Sequence, residues 1–514
     1  MNGFPWLDVM VFAPLAGGLL LAFIPSERDK LVRYFALAVS LVTFALSMVV
    51  LAHFDSGVSG FQEGTTLDWV EQWNVHYATG IDGISLWMIV ATTFMMPVSI
   101  MTAWPMRARR DRLKGYLILL LATQTGILGV FSSLDMFLFY LFWEATLVPL
   151  YFLIGMWGGE RRLYATVKFF LYTLAGSLIM LAAIFFMYFA HEPEPTFSYT
   201  ALIGTPLGMT AQLLMFLGFF ASFAIKTPLI PLHTWLPDAH DASPRWGSVD
   251  VVLTLFKLGP YGFIRFAIPF FPDAARTMAP VIAGMAIAGI IYAAAVAIVQ
   301  RDIKRLVAYS TVAHLGFIGL GIFAGTVTAM NGSVLQWANQ AISTGALFVL
   351  VAIMQDRVKT RMIDDVGGLA TRMPIFSGLF LVFALSSLGL PGLNNFVGEF
   401  LILAGTFASG FRWWVVIAAF GTVLAAVYLL WAYQRAFHGP VLGLAARPVE
   451  DLRPREIAML APAVAAMLFI GFYPQAFISR IEPAATKVVH QMHHSILPAS
   501  GSEARGAGFT TGGG

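Results

Sequence analysis

Residues 219–237 read FFASFAIKTPLIPLHTWLP. Lys226 stands at the end of a long apolar run, and Pro228 and Pro231 follow it at once. Proline removes a backbone donor and breaks a helix. A break at membrane depth is tolerated only where it lines a cavity or is packed inside protein. A lysine beside such a break reaches water, and the partial loss of hydration disfavours its charge. The plainer alternative is a lysine that snorkels to the membrane interface.

Three more ionisable residues sit inside apolar runs. Glu144 lies in FLFYLFWEATLVPLYFLIGMW (137–157), Lys257 in VVLTLFKLGPYGFIRF (251–266) and Glu399 in LGLPGLNNFVGEF (388–400). Each costs about 2.5–3.5 kcal/mol at the centre of a spanning helix, so such residues mark functional sites or paired structural charges. Glu144 needs a partner from another helix. Lys257 falls about twelve residues into its expected helix, near the midplane and far from either end. Glu399 follows Pro391, Gly392 and Gly398, a second helix break carrying a charge. His314, in RLVAYSTVAHLGFIGLG (305–321), is a core histidine or a proton carrier, since imidazole titrates near neutrality. His233 and His240 lie closer to one face and are candidates for proton entry or for capping the break. Asp250, two turns before Lys257, has Arg245 or Lys257 as its prospective partner. The two histidines lack a third ligand, so no metal site is expected.

The rest of the chain agrees with a membrane setting. Of its 514 residues 58% are hydrophobic and 11% charged, against about 25% charged in soluble domains. Net charge is +3, which gives no support to nucleic-acid binding. Cysteine is absent, which excludes disulfides, thiolate catalysis and thiolate ligation of iron–sulfur clusters in this chain. No glycine-rich phosphate loop follows a strand. The start, Met1 to Asp8, lacks a basic signal-peptide region, so the first helix is expected to remain.

Apolar runs long enough to span recur near 6–25, 33–53, 81–104, 115–132, 134–157, 164–190, 209–231, 245–268, 277–300, 305–326, 329–355, 375–409, 412–437 and 456–476. An all-α protein of fourteen transmembrane helices is expected. Loops after odd-numbered spans carry nearly all the lysine and arginine, including Arg107, Arg109, Arg110, Arg161, Arg245, Lys304, Arg361 and Arg447. Loops after even-numbered spans hold only Arg276 and Arg412 before the tail. The positive-inside rule then places odd loops in the cytoplasm and both termini outside.

An internal repeat is visible. Lys226 follows Glu144 by 82 residues and Glu399 follows His314 by 85, each pair two spans apart. Five spans separate the two units, so the copies insert upside down. Inverted repeats with paired broken helices mark translocators. The expected organisation is a three-helix segment (1–110), two inverted five-helix repeats with broken helices seven and twelve (111–270 and 271–440), a C-terminal helix (441–480) and a disordered tail (481–514).

Five segments carry a family resemblance: GIDGISLWMIVATTF (80–94), FWEATLVPLYFLIGMWGG (142–159), KTPLIPLHTWLPDAHDASP (226–244), RDIKRLVAYSTVAHLGF (301–317) and LGLPGLNNFVGEFLIL (388–403). They resemble the M subunit of proton-pumping NADH:quinone oxidoreductase, respiratory complex I, a relative of Mrp antiporter subunits. The resemblance implies a non-redox, proton-translocating subunit in the bacterial inner membrane, packed against L-like and N-like subunits and linked to a peripheral redox arm. NADH, FMN, iron–sulfur clusters and quinone would belong to partner subunits, and no cofactor to this chain. Glu144 would pair with and tune Lys226, Lys257 would be the central relay, His314 would continue the path and Glu399 would end it towards the outside. Where the family often has histidine this chain has Gln340, which implies a water-mediated step between His314 and Glu399. Arg245 and Asp250 also depart from the family's APTAGSVI pattern. A cation/proton antiporter subunit, or a complex with another electron donor, is the alternative.

Overall fold

The computed structural model describes residues 4–106, 112–443 and 449–497. Arg107, Arg109, Arg110 and Arg447, and the tail beyond Leu497, lie outside the described residues. The chain opens with helices α1 (Trp6–Phe23) and α2 (Asp29–His53), then an antiparallel hairpin of β1 (Gln62–Val70) and β2 (Val75–Ile81) with Leu67 opposite Tyr77. Next come α3 (Gly83–Thr102), α4 (Leu113–Ser132), α5 (Met136–Ala145), α6 (Leu147–Trp157) and α7 (Arg162–Ala190). The seventh crossing is α8 (Met209–Lys226) with the half-helix α9 (Trp235–Ala242), and the eighth begins as α10 (Ser248–Leu255) and resumes as α11 (Leu258–Gly262). Then follow α12 (Pro272–Ile298), α13 (Ile303–Phe323), α14 (Val327–Val358), α15 (Pro374–Ser387), α16 (Asn394–Phe407), α17 (Arg412–Phe437), α18 (Pro454–Phe472) and α19 (Gln475–His493).

Among the described residues, thirteen helical segments are long and apolar enough to cross a membrane. The short helices α15 and α16 together take the remaining, twelfth position. Asp82, Asp135 and Asp302 start α3, α5 and α13 by accepting two backbone N–H groups each, which replaces the partners a helix end lacks.

The interior belongs to few crossings. The eighth is fully buried and α13 and α14 are 94% buried over their apolar windows, whereas α2 is only 28% buried. The outer helices carry the lipid-facing surface, and the intramembrane polar groups sit in the middle.

Both expected breaks are present. Helix is lost between Lys226 and Trp235, and between Ser387 and Asn394, where Gly389 and Gly392 take left-handed φ of +79° and +90°. A third break was not foreseen. Phe256 and Lys257 are not helical, so Lys257 sits at an interruption and not inside a regular helix. Pro260 has no N–H to give to the Phe256 carbonyl, which instead accepts from Leu258 at 2.8 Å. Gly259 completes the arrangement. A Cβ there would lie 2.2 Å from the Thr227 hydroxyl and 2.3 Å from the Phe223 carbonyl, so only glycine lets the third break pack against the first.

The C-terminal boundary needs correction. The chain was expected to lose structure after residue 480, yet α19 continues to His493. Ile481, Ala484, Ala485, Val488, Val489 and Met492 recur at helical spacing and are buried, and that apolar stripe holds the helix on the bundle.

Candidate functional site

Lys226 ends α8 and is 1% exposed. Its ammonium lies 3.8 Å from the centre of the Trp143 ring and 4.4 Å from that of Phe256. It donates at 3.4 Å to the Trp143 carbonyl and to the Thr146 hydroxyl. Cation–π contacts of this kind are worth up to about 2 kcal/mol when desolvated. Glu144 is on the last turn of α5, between Lys226's partners Trp143 and Thr146 in sequence. It forms no ion pair with Lys226 at contact distance, and its buried Oε1 has no protein partner. The Lys226 amine is thus in contact with two rings and two neutral oxygens, and with no carboxylate at bonding distance.

Lys257, 2% exposed, donates to Gln340 Oε1 on α14 at 2.9 Å. Its backbone carbonyl accepts from the Trp337 indole at 2.8 Å, which ties the third break to α14. Gln340 Nε2 is buried and has no protein partner.

His314 and Glu399 touch. Nδ1 of the histidine and Oε1 of the glutamate are 2.9 Å apart, bridging α13 and α16. No intermediate at Gln340 separates them, so the expected gap between these two residues does not exist. Gln340 instead bonds the preceding member of the series, Lys257. Gln336, one turn before Gln340 on α14, also donates to Glu399 Oε1, at 3.1 Å. Around the break, Ser386 donates to Asn394 at 2.6 Å, Asn339 to the Asn394 carbonyl at 2.7 Å and Asn395 to Ser343 at 2.9 Å. This lacing satisfies polar groups that the interrupted helix frees. Gly389 lies against the carboxylate, its Cβ position 3.0 Å from Glu399 Oε2. All three breaks therefore carry or abut an ionisable side chain.

Nearer the loops, His240 and Asp250 form a second buried cluster. His240 Nδ1 lies 2.9 Å from Asp250 Oδ1, and its ring stacks on Phe348 at 4.2 Å and 6°. Asp250 pairs with neither Arg245 nor Lys257. Its cation is Lys304 on α13, at 2.9 Å. Arg245 instead stands over the Trp246 ring at 5.4 Å, in the wall of a cavity of about 780 Å³. That cavity is lined from the loops after the third, fifth, seventh and eleventh crossings, by Pro105, Glu160, Arg161, Arg245 and Arg361 among others, and it reaches Ser243. These four loops therefore share one face. His233 is buried edge-on to Tyr292 at 5.4 Å, away from the Asp250 cluster, and its Nδ1 has no partner.

Several buried polar residues escaped the sequence reading. Lys304 was read as a loop charge. Its signal was its spacing of seven from Thr311, which places both on one helical face. Gln336, four before Gln340, had the same kind of signal. Lys168 on α7 bonds Asp238 at 2.7 Å and the Thr234 carbonyl at 3.2 Å, fastening α9. Arg265, 2% exposed, pairs with Asp82 at 2.5 Å beneath the hairpin. Removing one member of a buried pair leaves the other uncompensated, at about 3–5 kcal/mol. Arg265→Ala is therefore expected to deplete the assembled chain and lower its thermal midpoint. Arg453→Ala, which breaks only the exposed pair with Glu450, is expected to leave both unchanged. Equal midpoints for the two variants in a detergent melt would contradict this.

Comparison with known proteins adds an independent line. The profile of the family described as NADH:quinone oxidoreductase/Mrp antiporter, TM, matches residues 133–425. The chain is 39% identical over 506 residues to NADH-quinone oxidoreductase subunit M of Rhodobacter capsulatus, covering 95% of this chain and 97% of that protein. It is 37% identical over 484 residues to NADH-ubiquinone oxidoreductase chain 4 of Arabidopsis thaliana, covering 94% and 97%. A chain of respiratory complex I from Thermus thermophilus, solved with bound NADH, superposes with a TM-score of 0.87 at 31% identity, covering 95% of this chain and all of that one. An archaeal membrane-bound sulfane sulfur reductase shares the fold at 22% identity, with a TM-score of 0.80 and coverage of 91% and 76%.

Proposed function

We propose a proton route through this chain from one premise: the chain belongs to the NADH:quinone oxidoreductase/Mrp antiporter transmembrane family, as an M-type subunit. It is a proton-translocating membrane subunit of a complex I-type enzyme. The odd loops face the cytoplasm of a bacterial inner membrane, and protons enter through the cavity that reaches Ser243. They pass by His240, and from Lys226, to Lys257 and Gln340, then to His314 and Glu399, which opens to the other side. NADH, FMN, iron–sulfur clusters and quinone are assigned to partner subunits, and for the clusters the lack of cysteine in this chain supports that assignment. L-like and N-like membrane subunits are its neighbours.

The observation that carries this reading is the placement of Lys226, Lys257 and Glu399 at three helix breaks, each bonded to few groups and buried within 4% exposure. A buried charge with neutral neighbours gains or loses its proton when a nearby charge moves. Repeat-equivalent pairs are caught in opposite conditions. His314 touches Glu399, whereas Glu144 and Lys226 are apart. With Glu144 close, Lys226 keeps its proton; with Glu144 drawn towards a neighbouring subunit, desolvation releases the proton towards Lys257. The work required is about 2.3 kcal/mol per charge per 100 mV. Buried atoms without protein partners, among them Gln340 Nε2, His240 Nε2, His314 Nε2 and Asn395 Oδ1, suit bridging water along the route.

Affinity purification through this chain tests the proposal. The expected preparation contains flavin and iron–sulfur subunits and drives NADH-dependent proton movement in proteoliposomes. Sodium-dependent proton flux from the chain without redox partners would favour the antiporter alternative.

A further inference from the structure

The ammonium of Lys304 sits in a cradle of three oxygens. Asp250 Oδ2 lies at 2.9 Å, Ser243 Oγ at 2.7 Å and the Ser243 carbonyl at 3.3 Å. A carboxylate, a hydroxyl and a backbone carbonyl are the donors that hard metal cations take. All three residues are buried, Lys304 to 3% and Asp250 to 1% exposure, immediately behind the polar cavity. Among the carboxylates that line the cavity, Glu160, Asp241 and Asp356, the one next to this cradle, Asp241, is likewise bonded to tethered cations, Arg361 at 2.5 Å and Arg305 at 3.2 Å. His240, by contrast, keeps Nε2 free of protein partners.

From this geometry we propose that Lys304 is a built-in cation occupying what would otherwise be a monovalent metal site, and that it restricts the entrance to protons. A sodium ion would have to displace a covalently attached ammonium from a buried carboxylate. A proton needs only the imidazole of His240. The inference rests on the proton route above and goes beyond it by assigning the residue that sets ion selectivity. Lys304 acts here by occupying oxygens, so its effect belongs in the sodium dependence of transport.

The test uses the intact complex in proteoliposomes. For each variant the initial rate of NADH-driven proton movement is compared at about 1 mM and about 100 mM sodium, with choline balancing the salt, a span that separates weak from strong site occupancy by mass action. The wild-type ratio is expected to stay near one. Lys304→Ala opens the cradle, and high sodium is expected to slow its pumping at least about threefold. Asp250→Asn combined with Lys304→Ala removes the anion as well, and sodium sensitivity is expected to vanish. Lys304→Arg retains a tethered cation and is expected to match wild type. Should Lys304→Ala fail to assemble, Lys304→Gln gives the same comparison. A wild-type complex slowed by sodium, or an assembled Lys304→Ala or Lys304→Gln complex as indifferent to sodium as wild type, would overturn the assignment. A wild-type complex that moves no protons at low sodium would instead count against the route on which the inference rests.

Discussion

Lys226→Ala is expected to slow NADH-driven proton pumping at least about tenfold in a complex that still assembles, a change of about 1.4 kcal/mol or more in the limiting step. Alanine leaves the break between α8 and α9 in place, because Pro228 and Pro231 cause it. What disappears is the cation between Trp143 and Phe256. Among the described residues no other lysine or arginine stands over either ring, and a hydrated proton has no comparable site among two aromatic faces. Lys226→Arg separates charge from proton exchange. Arginine remains charged at any working pH, so it preserves the cation–π contacts while being unable to release a proton. It is expected to pump as poorly as Lys226→Ala. Initial rates of acidification in proteoliposomes, normalised to assembled complex, measure both. Normal pumping by Lys226→Arg would show that Lys226 acts only as a fixed charge and would remove it from the relay.

The second large effect is expected at Glu399. Glu399→Gln keeps the volume and leaves an oxygen to accept from Gln336 and to face His314 Nδ1. The bonds that place the side chain therefore survive, and only titration is lost. Pumping is expected to fall by about tenfold or more with a stable, assembled complex, the loss of one protonatable step corresponding to at least about 1.4 kcal/mol. His314→Asn provides the internal comparison. If imidazole and carboxylate act as one exchanging pair, the double variant is expected to be no worse than Glu399→Gln alone, because effects within one contact pair are not additive. Wild-type rates in Glu399→Gln, or fully additive losses in the double variant, would sink the assignment of a shared step.

Much of this architecture is legible in local sequence. Spans follow from apolar length, and the two broken crossings follow from Pro228 and Pro231 beside Lys226 and from Pro391 and Gly392 before Glu399. The signal at Pro260 was equally local. Pro260 cannot donate to the Phe256 carbonyl, so the helix opens at Lys257, a position that apolar length alone places inside a regular span. The C-terminal helix α19 was obscured by its polar half, since its low overall apolarity concealed a stripe of buried positions from Ile481 to Met492. Partners were harder. Asp250 had Arg245 and Lys257 as near neighbours in sequence, yet its cation is Lys304, fifty-four residues on. Asp82 and Arg265 are 183 residues apart. Nothing within either segment selects the other.

The sequence by itself determined that this is a membrane-spanning chain with inverted repeats and with chargeable groups at interrupted helices. Those properties depend on composition, on the i to i−4 hydrogen bond that proline cannot make, and on the cost of charge in hydrocarbon, all of which act over one or two helical turns. Only the tertiary structure decided which of these groups meet. It set His314 on Glu399, Lys257 on Gln340 and Lys304 in the oxygen cradle of Asp250, and it left Lys226 between two rings with Glu144 apart. These contacts arise where helices remote in sequence cross. Electrostatic and hydrogen-bond energies there change over single ångströms, a distance that helix packing sets and local sequence does not encode.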